Sequence, residues 1–151
     1  MNNETLVEFA GILIAAVLAV DALLHAYWAT GRNWPAPDKL TLAQLILNSN
    51  KAHLFKPRGL ILLTCLLFLG ALTVLARIHR LGTLGQLVPD SILQIGVLIV
   101  AAGLFLRGIA GIVWALGLAA AKSKQFYKLN LILYTPVCLV LFTAAVVVSR
   151  S

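Results

Sequence analysis

Four apolar runs, each long enough to cross a lipid bilayer as a helix, take up most of this chain and leave little room for anything else. About 20 residues at ~1.5 Å per residue cover the ~30 Å hydrocarbon layer. Leu6 to Tyr27 is apolar except for Glu8, Asp21 and His25 and makes the first span, 6–27. Gly59 to Ile78 makes the second, entered after Lys56, Pro57 and Arg58 and left through Arg77 and Arg80. Ser91 to Ala121 makes the third, after the helix start Pro89-Asp90, and carries Gly96, Gly103, Gly108, Gly111 and Gly117. It is longer than a bilayer requires, so it must tilt or protrude. Phe126 to Val148 makes the fourth, with Pro136 inside it, where a membrane helix kinks and re-satisfies the freed carbonyl.

Composition agrees: 61% of the 151 residues are hydrophobic and 11% charged, with a mean hydropathy of +0.97. A soluble domain carries roughly 45–50% apolar and about 25% charged residues, so a water-facing surface cannot be covered here. Disorder needs the opposite balance, and four crossings leave no space for a second domain. The expected fold is one all-α membrane domain over 1–151, a four-helix transmembrane bundle. Between the first two spans, Trp34, Pro35, Ala36 and Pro37 forbid a helix, and Asp38 then caps one carrying Leu40, Leu42, Leu45, Ile46 and Leu47. That segment is expected to lie on the membrane surface as a short interfacial helix.

Twelve Lys and Arg against five Asp and Glu would suggest nucleic acid in a soluble protein. Here the basic residues fall at the ends of apolar runs, where topology and anionic headgroups place them, and no nucleic-acid partner is expected. Four spans put both termini on one side, with Arg77, Arg80 and Arg150. The other side holds Arg32, Lys39, Lys51, Lys56, Arg58, Lys122, Lys124 and Lys128, and the positive-inside rule makes it cytoplasmic. Both termini are then periplasmic or extracellular. Glu4 and Glu8 stand where a signal peptide wants positive charge, so the first span is expected to be retained.

Asp21 and Arg107 demand an explanation, because an unpaired charge in hydrocarbon costs at least ~2.5–3.5 kcal/mol. Counted from the outer ends, both lie at a depth of ~22–24 Å, and Asn130 falls in the same layer. His25 is one turn further on, on the face of Asp21. The expectation is an intramembrane polar cluster of Asp21, His25, Arg107 and Asn130, with an Asp21–Arg107 ion pair at its centre. Its alternative is a snorkelling Arg107 and a protonated Asp21. Gly103, Gly111 and Ala115 surround Arg107 with a face of small residues that points inward or to another subunit.

His25 and His53 belong to one side and His79 to the other, so a bis-histidine haem is not expected. No metal-ligand spacing, hydrolase constellation or phosphate-cradling glycine loop is present, so neither a cofactor, a metal nor a catalytic residue is expected. Cys65 and Cys138 lie at depths ~9 Å apart, beyond disulfide reach.

Two stretches carry a resemblance. His25-Ala-Tyr-Trp28-Ala-Thr-Gly31 is similar to a His-x-x-Trp-x-x-Gly stretch, and Tyr134-Thr-Pro136-Val-Cys138-Leu to a Tyr-Ser-Pro-Leu-Cys-Leu run. Both occur in a family of small bacterial four-span membrane proteins catalogued as a domain of unknown function. The chain departs from it at Asn130 and Leu133, where the family has an acidic residue and arginine. The resemblance implies an inner-membrane protein, close to the AciT-like branch associated with envelope barrier integrity and trafficking between the two membranes. It carries over no catalytic residue; Trp28, Gly31, Tyr134 and Pro136 stand as motif residues.

The leading expectation is a non-enzymatic protein that supports outer-membrane barrier integrity and lipid trafficking. Membrane lipids and a second copy in a homodimer are its expected partners, with an envelope protein as a further one. The alternatives are a small proton-coupled transporter for an amphipathic or cationic solute, and an accessory subunit of a larger membrane complex.

Overall fold

The computed structural model describes residues 2–121 and 123–151; Lys122, counted above among the basic residues of one side, lies outside them. The described residues hold seven α-helices and no strand. Helix α1 covers Asn3–Ala29, α2 Lys39–Leu47, α3 Pro57–Arg77, α4 Thr83–Gln86 and α5 Asp90–Ala115. Helix α6 (Lys124–Leu129) runs through a π-turn (Asn130–Tyr134) into α7 (Thr135–Ser149), and the three act as one continuous span. Four helical spans are long and apolar enough to cross a membrane, as the hydropathy pattern requires.

Each begins where local chemistry lets it. The Asn2 side chain accepts from Thr5 N–H at 2.9 Å, Pro57 opens α3 without needing its own N–H, and Ser123 accepts from Phe126 N–H at 3.0 Å. The third span stops at Ala115, short of the expected 121. Leu118 N–H bonds Val113 C=O at 3.0 Å and Gly117 N–H bonds Trp114 C=O at 3.1 Å, with Gly117 at φ +71°. That double closure is a Schellman ending, and it needs a left-handed residue that glycine supplies without strain. Hydropathy continues past this point, but the helix does not.

The four spans form a ring in chain order. Helix α1 packs on α3 and α7, and α5 packs on α3 and α7, so α1 and α5 face each other across the diagonal. Ile14, Val74, Val97, Ala145 and Val148 are fully buried at the centre. Within the span windows only 22–33% of residues are buried, so most of each helix is left for lipid or another chain.

Both termini lie at one end of the ring, closed by polar contacts. Arg80 pairs with Glu8, Arg77 lies 3.7 Å from Asp90 and donates to the Ser151 carbonyl, and Gln94 Nε2 donates to the Ser149 carbonyl at 3.0 Å. At the other end, α2 and its flanking turns make a second small core of Trp28, Ala36, Leu42, Ala43, Phe55 and Leu60. Asn48 Nδ2 donates to the Ala120 carbonyl at 2.9 Å, tying this layer to the turn after α5.

Asp38 caps α2 by accepting from Thr41 N–H and Thr41 Oγ1, each at 2.9 Å. Those bonds favour the carboxylate and hold its pKa below the ordinary 3.8. Because the folded pKa is the lower one, the cap contributes fully above 3.8 and is lost as pH falls through the depressed value. The protection of the Thr41 amide, its exchange relative to the intrinsic rate at each pH, should therefore fall only in acid below the ordinary aspartate range. Asp38→Asn, which keeps the cap without titrating, should remove that pH dependence; a profile shared by both proteins would contradict the assignment.

Candidate functional site

Two polar groupings occupy the half of the bundle nearest the basic end. The first belongs to α1. His25 Nδ1 lies 2.8 Å from the Asp21 carbonyl oxygen and 3.3 Å from Asp21 Oδ1. A carbonyl can only accept, so Nδ1 carries the hydrogen. The His25 side chain is 11% exposed and that of Asp21 48%. The His25 ring stands edge-on to Trp28 at 5.0 Å, Trp28 meets Phe55 at 5.9 Å, and Trp28 Nε1 donates to the Trp34 carbonyl at 2.9 Å. Gly31, at φ +91°, then turns the chain out of α1. The His25, Trp28 and Gly31 stretch thus ends a helix and fastens the following loop to it.

The second grouping lies between α5 and the fourth span. The Arg107 Cζ lies over the Trp114 ring, 5.6 Å from its centroid, and over the Tyr134 ring at 5.4 Å, and Nη1 reaches Asn130 Oδ1 at 3.5 Å. Asn130 is fully buried, and its Nδ2 donates to the Gly111 carbonyl at 2.8 Å. Trp114 is in turn held edge-on by the buried Phe126 ring at 5.0 Å, and Tyr127 Oη donates to the Ala115 carbonyl at 3.2 Å.

The π-turn makes this arrangement possible. Pro136 has no N–H, and its ring would press on the carbonyl one turn earlier in a regular helix. Widening the preceding turn, with Thr135 N–H bonded to Asn130 C=O five residues back, relieves that clash. It brings Asn130 and Thr135 together against Gly111: a Cβ there would collide with Thr135 Oγ1 and stand 3.2 Å from Asn130 Oδ1. Thr135 is buried, and its hydroxyl has no hydrogen-bond partner among the described residues.

The expected Asp21–Arg107 ion pair does not form. Among the described residues no carboxylate lies within 4.0 Å of Arg107, and Asp21 pairs with His25. The cause is the ring order, since α1 and α5 are diagonal. The fourth span packs on both of them. The snorkelling alternative describes Arg107 better, because its guanidinium reaches toward Trp114, next to the end of α5. Asn130 does join Arg107 as expected, whereas His25 remains with Asp21.

The small face around Arg107 turns inward at Gly111, and Gly108 receives Leu139 Cδ2 at 2.9 Å from its Cβ position; Gly103 stays open. Sequence reasoning missed Trp114 and Thr135. Trp114 had a readable signal, lying seven residues after Arg107 and so on the same helix face. Thr135 had none, because the π-turn sets its direction. Among the described residues no three His, Cys, Asp or Glu side chains gather as metal ligands.

The family model described as "Protein of unknown function (DUF3995)" matches residues 18–145, which takes in all the residues of both groupings. The chain belongs to that family. No curated protein and no solved structure matches it. The family assignment covers the C-terminal part of α1 and all of α2 to α6, and stops inside α7. It agrees with the expectation of a domain of unknown function.

Proposed function

We propose that this chain is a non-enzymatic inner-membrane protein that supports the envelope barrier by handling lipid, as the AciT-like resemblance suggests. One observation carries the reading: Arg107, permanently charged and seated in a membrane-spanning helix, has aromatic and amide neighbours but no carboxylate within 4.0 Å among the described residues. A guanidinium so placed is matched by the acid group of an amphiphile. The excess of basic residues at the Arg107 end favours orienting that end to the cytoplasm. Sparse burial within each span favours a homodimer as the working unit.

The test is made in cells lacking the native copy. Arg107→Gln, checked for normal membrane abundance, is expected to admit a hydrophobic dye as readily as a strain without the protein, while Arg107→Lys is intermediate. Wild-type dye exclusion by Arg107→Gln ends this reading. Native mass measurement of the same protein in detergent is expected to give two chains, and a strictly monomeric mass removes the dimer. The Asp21–His25 pair favours proton-coupled transport as a second reading. Equal proton flux in vesicles carrying wild type or Asp21→Asn eliminates it.

A further inference from the structure

We propose that Arg107, positioned by Asn130, binds the anionic phosphate headgroup of a membrane lipid in the leaflet at the basic end of the bundle. The proposal rests on the lipid-handling reading and names its ligand.

The first argument is unmet hydrogen-bonding capacity. A guanidinium carries five N–H donors, and among the described residues the polar contact of Arg107 is the single 3.5 Å approach to Asn130 Oδ1. Its Cζ lies over the Trp114 and Tyr134 rings, whose π faces attract the cation without accepting a conventional hydrogen bond from its N–H groups. Several free edge donors suit an acceptor with several oxygens. Phosphate offers more than carboxylate does, and guanidinium binds it through two parallel bonds.

Depth selects the source. Arg107 precedes Ala115, the last residue of α5, by eight residues or ~12 Å, and its guanidinium extends to Trp114, next to that end. Tryptophan beside a span terminus marks the headgroup level, where lipid phosphates lie. The surroundings agree: Leu106, Leu131, Ile132 and Leu133 are all exposed apolar side chains on the two segments that carry the site. A ligand with acyl chains would cover them, which free phosphate cannot do.

The full-length protein in phosphatidylcholine nanodiscs is titrated separately with phosphatidic acid, inorganic phosphate and palmitate, and retained ligand is read by native mass spectrometry. Phosphatidic acid is expected to be retained by wild type and to bind Arg107→Gln about tenfold more weakly, the equivalent of one charge-assisted hydrogen bond. Equal retention by wild type and Arg107→Gln overturns the proposal. Equal retention of palmitate overturns the phosphate assignment, and retention of inorganic phosphate without phosphatidic acid overturns the lipid source. If Arg107→Gln does not fold, Arg107→Lys decides, since it keeps the charge and loses the fork; unchanged binding then overturns the site. Phosphatidic acid binding lost in Arg107→Gln while dye exclusion persists leaves the site standing and ends the barrier reading. Dye exclusion lost with no phosphatidic acid binding in wild type does the reverse.

Discussion

Trp28→Ala is expected to lower the stability of the detergent-solubilised protein by about 3–5 kcal/mol, the cost of removing a buried tryptophan that other elements pack around. Trp28 is 5% exposed and belongs to the core that joins α1, the first loop, α2 and the start of α3. Its ring contacts His25 and Phe55, and its Nε1 donates to the Trp34 carbonyl. Without it, the 30–56 segment loses the anchor that fastens it to the bundle, so protease cleavage there should precede global unfolding. Trp28→Phe keeps much of the ring volume and loses the N–H, leaving the Trp34 carbonyl short of one donor; about 1–3 kcal/mol is expected. Denaturant unfolding with both variants checks the assignment. A loss below about 1 kcal/mol for Trp28→Ala would mean that the loop is held by something else.

The second large effect is expected at Gly111, where adding one methyl group should cost about 1–3 kcal/mol through overpacking. Its Cβ would collide with Thr135 Oγ1 and crowd Asn130 Oδ1, both fixed by the π-turn rather than by a flexible side chain. Gly103, where a Cβ meets nothing within 4 Å, provides the matched control: Gly103→Ala on the same helix should be neutral or slightly stabilising. Thr135→Ala removes the hydroxyl that Gly111→Ala would strike. The double variant should accordingly lose less than the sum of the two single losses, a coupling that thermal unfolding of the four proteins measures. Additive losses would show that Gly111 and Thr135 do not share this contact.

The spans were readable because hydropathy and length are properties of contiguous residues. The α2 start was readable for the same reason, with Asp38 and Thr41 three residues apart and in capping distance wherever α2 lies. The end of α5 was harder, since Leu116 and Leu118 remain as apolar as the helix before them. Gly117 carried the signal, but a glycine-rich span gives no reason to select one glycine over four others until the carbonyls of Val113 and Trp114 are seen to close on it.

The polar layer divides in the same way. Height along each helix follows from residue counting, which brought Asp21, Arg107 and Asn130 to one level. Which helices are neighbours at that level does not follow from it. The ring order sets α1 diagonal to α5 and sends Asp21 to His25 and Arg107 to Trp114, Tyr134 and Asn130.

By itself, then, the sequence determined that this chain is a four-span helical membrane protein, with a capped helix in its first loop. Those properties depend on local composition, rise per residue and short-range hydrogen bonds. Tertiary structure decided that Arg107 faces an aromatic and amide setting instead of a carboxylate, and that Gly111 admits Asn130 and Thr135. The reason is geometric: a partner across helices is set by rotation and neighbour order, and here by a π-turn that redirects two side chains before Pro136.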